Sequence, residues 1–477
     1  MEHELSGKKP SFQQERRGTS FYRIMVLLGL IVAGVWVLTM VRRDQIVSPF
    51  EPTPTATRMS ESYFQEAQAY FNAGVLDNPT TPTPVVGGKT SLVINDAIDA
   101  YHAALAGDPN NASAWAELAR IQTYSSNMLR NDTERLARLE DAMASADRAV
   151  ELAPDDSTVR AIRAFVLDWY ASNSLVPVSQ REDLLVEAER EASRAFQIDP
   201  ENALALAFYA EILADEQKWT QAEKYATQAV ALDPSSMDTH RVYGYVLETL
   251  GKYNSAIQQY QEAVSISPNM TFLYLRIGQN FREGIHNPDR ALDYFDRAAK
   301  INQALGVQNP LPYVEIARTY TQIGQFFAAS INAEKALELD PTSASTYGQL
   351  GIIFRRARNY EGAMSLLQCA VVGCTAAENE MGKVDVQGLP LTSVTVAYYY
   401  VEYGTNLAFL SRVNENYCPQ AREVLSKVRQ AYPDDPTLIG IVEDSEGICR
   451  RLNQGQAPVP TITPGPTDTP EQAMPGG

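Results

Sequence analysis

Histidine and cysteine are scarce in this chain, with four of each in 477 residues. The histidines, His3, His102, His240 and His286, form no local cluster, so ligand spacing points to no metal site. No nucleophile elbow or comparable local signature occurs. The nearest approach to a phosphate loop, VVGGKTS, has Thr83 where the first glycine is required, and Pro79, Pro82 and Pro84 crowd it. Positive charge is also short: 40 Lys and Arg stand against 58 Asp and Glu, for a net −18. Residues 1–43 hold seven Lys/Arg and three Glu, so the remainder is more acidic still. An acidic body excludes nucleic acid as a main partner, because binding phosphates requires a basic surface. No catalytic residue, cofactor or small-molecule substrate is expected.

Long apolar runs are missing except for IMVLLGLIVAGVWVLTMV, residues 24–41. Eighteen helical residues rise about 27 Å, close to the thickness of a bilayer's hydrocarbon core. Lys8, Lys9, Arg16, Arg17 and Arg23 precede the run, and only Arg42 and Arg43 follow it closely. This asymmetry predicts a single-pass anchor with residues 1–23 in the cytoplasm and the body outside. A cleaved signal peptide is the rival reading, but no small-x-small site precedes Arg42. No cysteine follows closely enough for a lipid anchor.

What the chain does have is a repeated phrase. AVELAP (149–154), AFQIDP (195–200), AVALDP (229–234), AVSISP (263–268) and ALELDP (336–341) each read as a last helical turn and a stop, since proline cannot continue a helix. Pro200, Pro234 and Pro268 lie 34 residues apart. A fixed period of this length indicates stacked units. Within 237–268, Tyr243, Gly244 and Leu247 mark one amphipathic helix, and Ala256, Tyr260 and Ala263 a second. Neither helix can bury its stripe alone, so the units must stack.

The pattern resembles the tetratricopeptide repeat family. Tyr347, Leu350, Gly351 and Phe354 match its first-helix signature. Tyr313, Ile316, Ala317, Tyr320, Ala329, Ala333, Ala336 and Pro341 match a whole unit, and Trp115, Leu118 and Ala119 open another. The resemblance implies an all-α fold, a right-handed α-solenoid of about nine helix-turn-helix units plus a closing helix at 436–452. The array occupies 60–454, with insertions at 75–91, 125–135, 173–184 and 375–392. A Pro/Thr-rich linker covers 42–59, and a disordered tail covers 455–477.

Cys369 and Cys374 bracket a helix end, Cys418 begins the last unit's second helix, and Cys449 lies in the closing helix. Four cysteines allow three pairings. The preferred one is 369–374 with 418–449, and the alternative is ordinary buried thiols. In AYYYVEYG (397–404), Tyr400 and Tyr403 are expected in large apolar slots, and Tyr398 is a candidate groove residue.

The resemblance further implies a concave groove, lined by first helices, that binds a protein or peptide. Carried onto this sequence, its candidates are Arg241, Tyr245, Gln279, Arg282, Arg318, Gln322, Arg355 and Arg356. Arg282, Arg318 and Arg355 recur at spacings of 36 and 37, read as one period each, and predict an exposed arginine stripe for acidic groups. The functional expectation is a membrane-anchored, non-catalytic scaffold acting outside the cytoplasm in envelope assembly or secretion. The alternative is an accessory subunit of an enzyme system handling envelope polysaccharide.

Overall fold

The computed structural model describes residues 21–42, 58–77, 85–86, 89–90, 94–173, 175–412 and 414–453. Most of the N-terminal stretch before the apolar run, most of the 42–59 linker and the 455–477 tail lie outside the described residues. The chain divides into two units, Met1–Arg58 and Met59–Gly477, taken separately below.

In the first unit, α1 runs Phe21–Arg42 over the apolar segment. Its described side chains, Phe21–Trp36, are exposed. Among the described residues no helix is long and apolar enough to cross a membrane. The expected transmembrane helix at 24–41 is therefore not found there.

The second unit is helical, with two short antiparallel ladders. Its helices are α2 (Ser60–Asn72), α3 (Ala97–Gly107), α4 (Ala112–Ser126), α5 (Asp132–Leu152), α6 (Ser157–Ala171), α7 (Val178–Ile198), α8 (Ala203–Asp215), α9 (Trp219–Leu232), α10 (Met237–Thr249) and α11 (Tyr253–Ile266). They continue with α12 (Thr271–Gln279), α13 (Pro288–Leu305), α14 (Leu311–Gln322), α15 (Phe326–Leu339), α16 (Ala344–Arg356), α17 (Tyr360–Val371), α18 (Val394–Leu410), α19 (Cys418–Ala431) and α20 (Pro436–Asn453). Each even-numbered helix from α2 to α18 packs on the next odd-numbered one, and α20 closes the array against α18 and α19.

The repeated phrase has a local cause. Asp199, Asp233 and Asp340 are helix C-caps, and each side chain accepts the backbone N–H two residues on, at 3.0, 3.0 and 3.1 Å. This turn reverses the chain where proline forbids more helix. Asn202 and Ser343 then cap the next first helix. Within a pair the helices approach closely. A Cβ on Gly278 would meet the Phe295 ring at 2.3 Å, and one on Gly351 would meet Leu367 at 2.6 Å. The glycine of the family signature is thus the hole that receives the second helix's large side chain.

The insertions at 125–135 and 173–184 do not form long loops. Each contributes in part to a second helix, 132–135 to α5 and 178–184 to α7, and both helices run to 21 residues. Of the 75–91 insertion, β1 (Val85–Val86) pairs with β2 (Lys89–Thr90). The 375–392 insertion is fastened to the array. β3 (Gly373–Cys374) pairs with β4 (Val386–Gln387), and Asn379 exchanges hydrogen bonds with the buried Tyr347 hydroxyl.

Both preferred disulfides are formed: Cys369–Cys374 with Cα atoms 4.7 Å apart, and Cys418–Cys449 at 5.5 Å. Tyr400 and Tyr403 are buried in the last unit, whereas Tyr398 is exposed.

Candidate functional site

The first helices α4, α6, α8 and α10 pack on one another in order, and their inner faces carry large aromatic and charged side chains. Tyr124 on α4 stacks on Phe272 of α12, centroids 5.5 Å apart and nearly parallel. Phe165 stacks on Phe208 at 4.3 Å. Arg241 of α10 lies among Tyr124, Phe165 and Trp169, with its guanidinium carbon 5.3 to 5.7 Å from each ring centroid. It donates twice to Glu211, at 2.7 and 2.6 Å, and once to the Tyr124 hydroxyl at 2.9 Å. Tyr124 in turn donates to Asp238, which also accepts from Arg120 at 2.8 Å.

The array also meets itself. Asn269 donates to the Ala73 carbonyl, 196 residues earlier, and Asn309 to the Asn127 carbonyl. Across the first units the concave face is therefore filled by the protein's own residues. The expected open groove does not run along that part.

The candidate arginines divide accordingly. Arg241 is 5% exposed and Arg282 4%. Arg282 sits in a π-helical turn at 280–284 and pairs with Glu315 at 2.6 Å. Arg355 pairs with Glu402 of α18 at 2.8 Å. Arg276, which the sequence reading passed over, pairs with Glu248 at 2.8 Å. In these four pairs the arginine and glutamate lie on successive first helices or the turn continuing one, so the arginines fasten neighbouring units. The exposed stripe of Arg282, Arg318 and Arg355 is thus corrected. Tyr313 and Tyr347 set a 34-residue offset between their units, which matches Arg356 with Gln322 and places Arg355 beside Thr321. Arg318, Gln322 and Arg356 are the exposed members of the set, although Arg318 also contacts Glu315 at 3.1 Å.

This division gives a test. Arg282→Ala should lower the unfolding midpoint in urea, because it leaves the buried Glu315 carboxylate with only the largely exposed Arg318 as a charged partner, at a cost of about 2–3 kcal/mol. Arg318→Ala should change it by under about 0.5 kcal/mol. Equal effects would refute the division.

Tyr245 and Gln279, with Arg241, line a cavity of about 520 Å³ at one end of the inner helices. Asp168, Trp169, Asp215, Phe272 and Arg276 also line it. Tyr245 donates its hydroxyl hydrogen to Asp215. Burial, together with Asp215 and Glu211 nearby, pushes the Asp168 carboxyl well above the usual range. Asp215 is pushed up to about 6, chiefly by desolvation, with the Tyr245 bond acting in the opposite direction. Asp215 is exposed as a residue, and its carboxylate accepts the Tyr245 hydroxyl hydrogen. Arg241 stays charged: the cost of burial is outweighed, mainly by Glu211. The sequence reading missed Asp168 and Asp215. Their signal is an acidic residue in the last turn of a helix, where the macrodipole favours cations.

A repeating stack of antiparallel helix pairs defines an α-helical repeat protein. Tetratricopeptide repeat models match residues 210–271 and 312–343, so these segments are tetratricopeptide repeats. No curated protein matches the chain. Similar solved structures include a thermophilic tetratricopeptide repeat protein of Thermus thermophilus, at 16% identity over 46% of this chain and 98% of that one, TM-score 0.35. A tetratricopeptide repeat protein from Parabacteroides merdae aligns at 14% identity over 62% and 98%, TM-score 0.35. The human IFIT1 dimer with PPP-AAAA aligns at 15% identity over 57% and 66%, TM-score 0.41.

Proposed function

We propose that this chain is a non-catalytic scaffold that binds a protein or peptide partner on the extracytoplasmic side of a membrane, in envelope assembly or secretion. Stacked tetratricopeptide repeats suit this role, since they present an extended surface of successive helices. The observation that carries the compartment is the pair of disulfides. Such bonds persist in oxidising surroundings and are rare where glutathione and thioredoxin keep thiols reduced.

The anchor rests on the sequence of 24–41 and its flanking charges. The partner surface is narrowed to Arg318, Gln322 and Arg356, the candidates that remain exposed, and acidic groups on the partner would meet them.

Reporter fusions after residues 45 and 454 test the topology. Activity is expected only from an extracytoplasmic reporter at both sites, and cytoplasmic activity at either would overturn it. Pulldown from solubilised membranes tests the partner surface. Arg318→Ala with Arg356→Ala should weaken capture while leaving thermal unfolding nearly unchanged, and undiminished capture would exclude this surface.

A further inference from the structure

The cavity beside Arg241 contains more carboxylates than its arginines can serve. Arg241 is committed to Glu211, Arg276 to Glu248, and Arg135 to Asp132 at 3.1 Å. Among the described residues, Asp168 and Asp215 form no ion pair. Both line the cavity, and burial with the Asp215 carboxylate nearby raises the Asp168 carboxyl, which favours its protonated form when the cavity is empty. Asp168 is 2% exposed, and its Oδ1 receives no hydrogen bond from any donor. A buried acceptor without a donor is costly and calls for a ligand.

The surroundings favour positive charge. Helices α4, α6 and α8 all end at the cavity, and their C-terminal carbonyls add partial negative charge. Trp169 and Phe272 stand edge to face, centroids 6.4 Å apart, and offer aromatic surface to a cation. The volume, about 520 Å³, accommodates a side chain or a small molecule. No group of three His, Cys, Asp or Glu among the described residues could hold a metal ion, which favours an organic cation.

We propose that this cavity binds the ammonium group of an amine ligand, held between the Asp168 and Asp215 carboxylates and against Trp169. The ammonium takes the place of the proton that Asp168 holds and donates to Asp168 Oδ1, which has no other donor. Its alkyl stem lies along Trp169 and Phe272. A free amine and a lysine side chain of a peptide present this same group. The site is separate from the Arg318–Arg356 surface, so either assignment can fail while the other stands.

Calorimetric titration of the full chain tests the site with cadaverine, with acetyl-Gly-Lys-Gly-amide, and with the same peptide carrying norleucine for lysine. One or both charged probes should bind, and the norleucine peptide should not. Binding of the peptide alone assigns the source to a partner's lysine, and binding of cadaverine alone to a free amine. Asp168→Asn and Asp215→Asn preserve shape, and each should weaken binding about tenfold or more by removing a charged partner. Because binding ionises the pair, it should release protons, seen as a binding heat that varies with buffer ionisation enthalpy. Affinity should also rise with pH, first as Asp215 ionises near 6 and further as Asp168, held well above the usual carboxylate range, loses its proton. Absence of binding by both charged probes at millimolar concentration, equal binding of the norleucine peptide, or unchanged affinity in both variants would overturn the proposal.

Discussion

Replacing Arg241 by alanine is expected to destabilise the repeat body by about 3–5 kcal/mol, more than the loss of any other inner-face arginine. The guanidinium is buried and supplies two hydrogen bonds to a carboxylate that is itself 5% exposed. Alanine leaves Glu211 charged in a poorly solvated place, and the Trp169 indole N–H, at 3.3 Å, is the other side-chain donor to it. It also empties the space between Tyr124, Phe165 and Trp169, which adds a cavity cost. The loss should appear as a lower urea midpoint for the first unfolding step, followed by far-ultraviolet circular dichroism. Arg356→Ala, on an exposed residue, is the control and should move that midpoint by under about 0.5 kcal/mol. A double variant, Arg241→Met with Glu211→Gln, should recover much of the stability, because it removes the stranded charge as well as its partner. An Arg241→Ala midpoint equal to that of Arg356→Ala would show that the central ion pair does not hold these units together.

The contrast between Arg241 and Arg356 also marks where the sequence could be read. Features that depend on neighbours within about one period were legible. The Asp-Pro stops locate helix ends, Gly278 and Gly351 locate the close approach within a pair, and the cysteines lie on elements that one period of geometry brings together. Closure of the array on itself was not legible. Asn309 reaches Asn127 across 182 residues, and that meeting depends on small rotations accumulated over several units. The arginines were misjudged for the same reason. Their inner-face positions follow from the period, but whether that face is solvent or interior depends on how tightly the units wind. Tyr124, Phe165 and Trp169 were visible in the sequence as large aromatics, yet only the winding places them around one guanidinium. Asp168 and Asp215 belong to an intermediate class. Their positions at helix ends could be read, but their meeting in one cavity could not.

Removing the Cys418–Cys449 bond with serine at both positions is expected to cost about 3–4 kcal/mol, since its loop spans 31 residues in sequence. The Cys369–Cys374 bond closes a separation of only 5, and its loss should cost about 2 kcal/mol. Position in the array widens this difference. Among the described residues α20 is the last helix, and it packs mainly on α18 and α19, with Leu438 and Val442 fully buried. A terminal element of a stacked array lacks the second interface that holds an internal one, so it opens first. The 418–449 bond ties that element to α19 at Cys418, which is itself fully buried. Hydrogen exchange should therefore show lost protection concentrated in α18–α20 in the Cys418→Ser, Cys449→Ser variant, with α4–α12 unchanged. The Cys369→Ser, Cys374→Ser variant should instead loosen the 375–392 insertion, whose other fastenings are the β3–β4 ladder and the Tyr347–Asn379 bonds. Thiol labelling of denatured, unreduced wild-type protein should find no reactive cysteine. Two or more labelled thiols, or equal loss of protection in the two variants, would mean that these bonds do not secure the end of the stack.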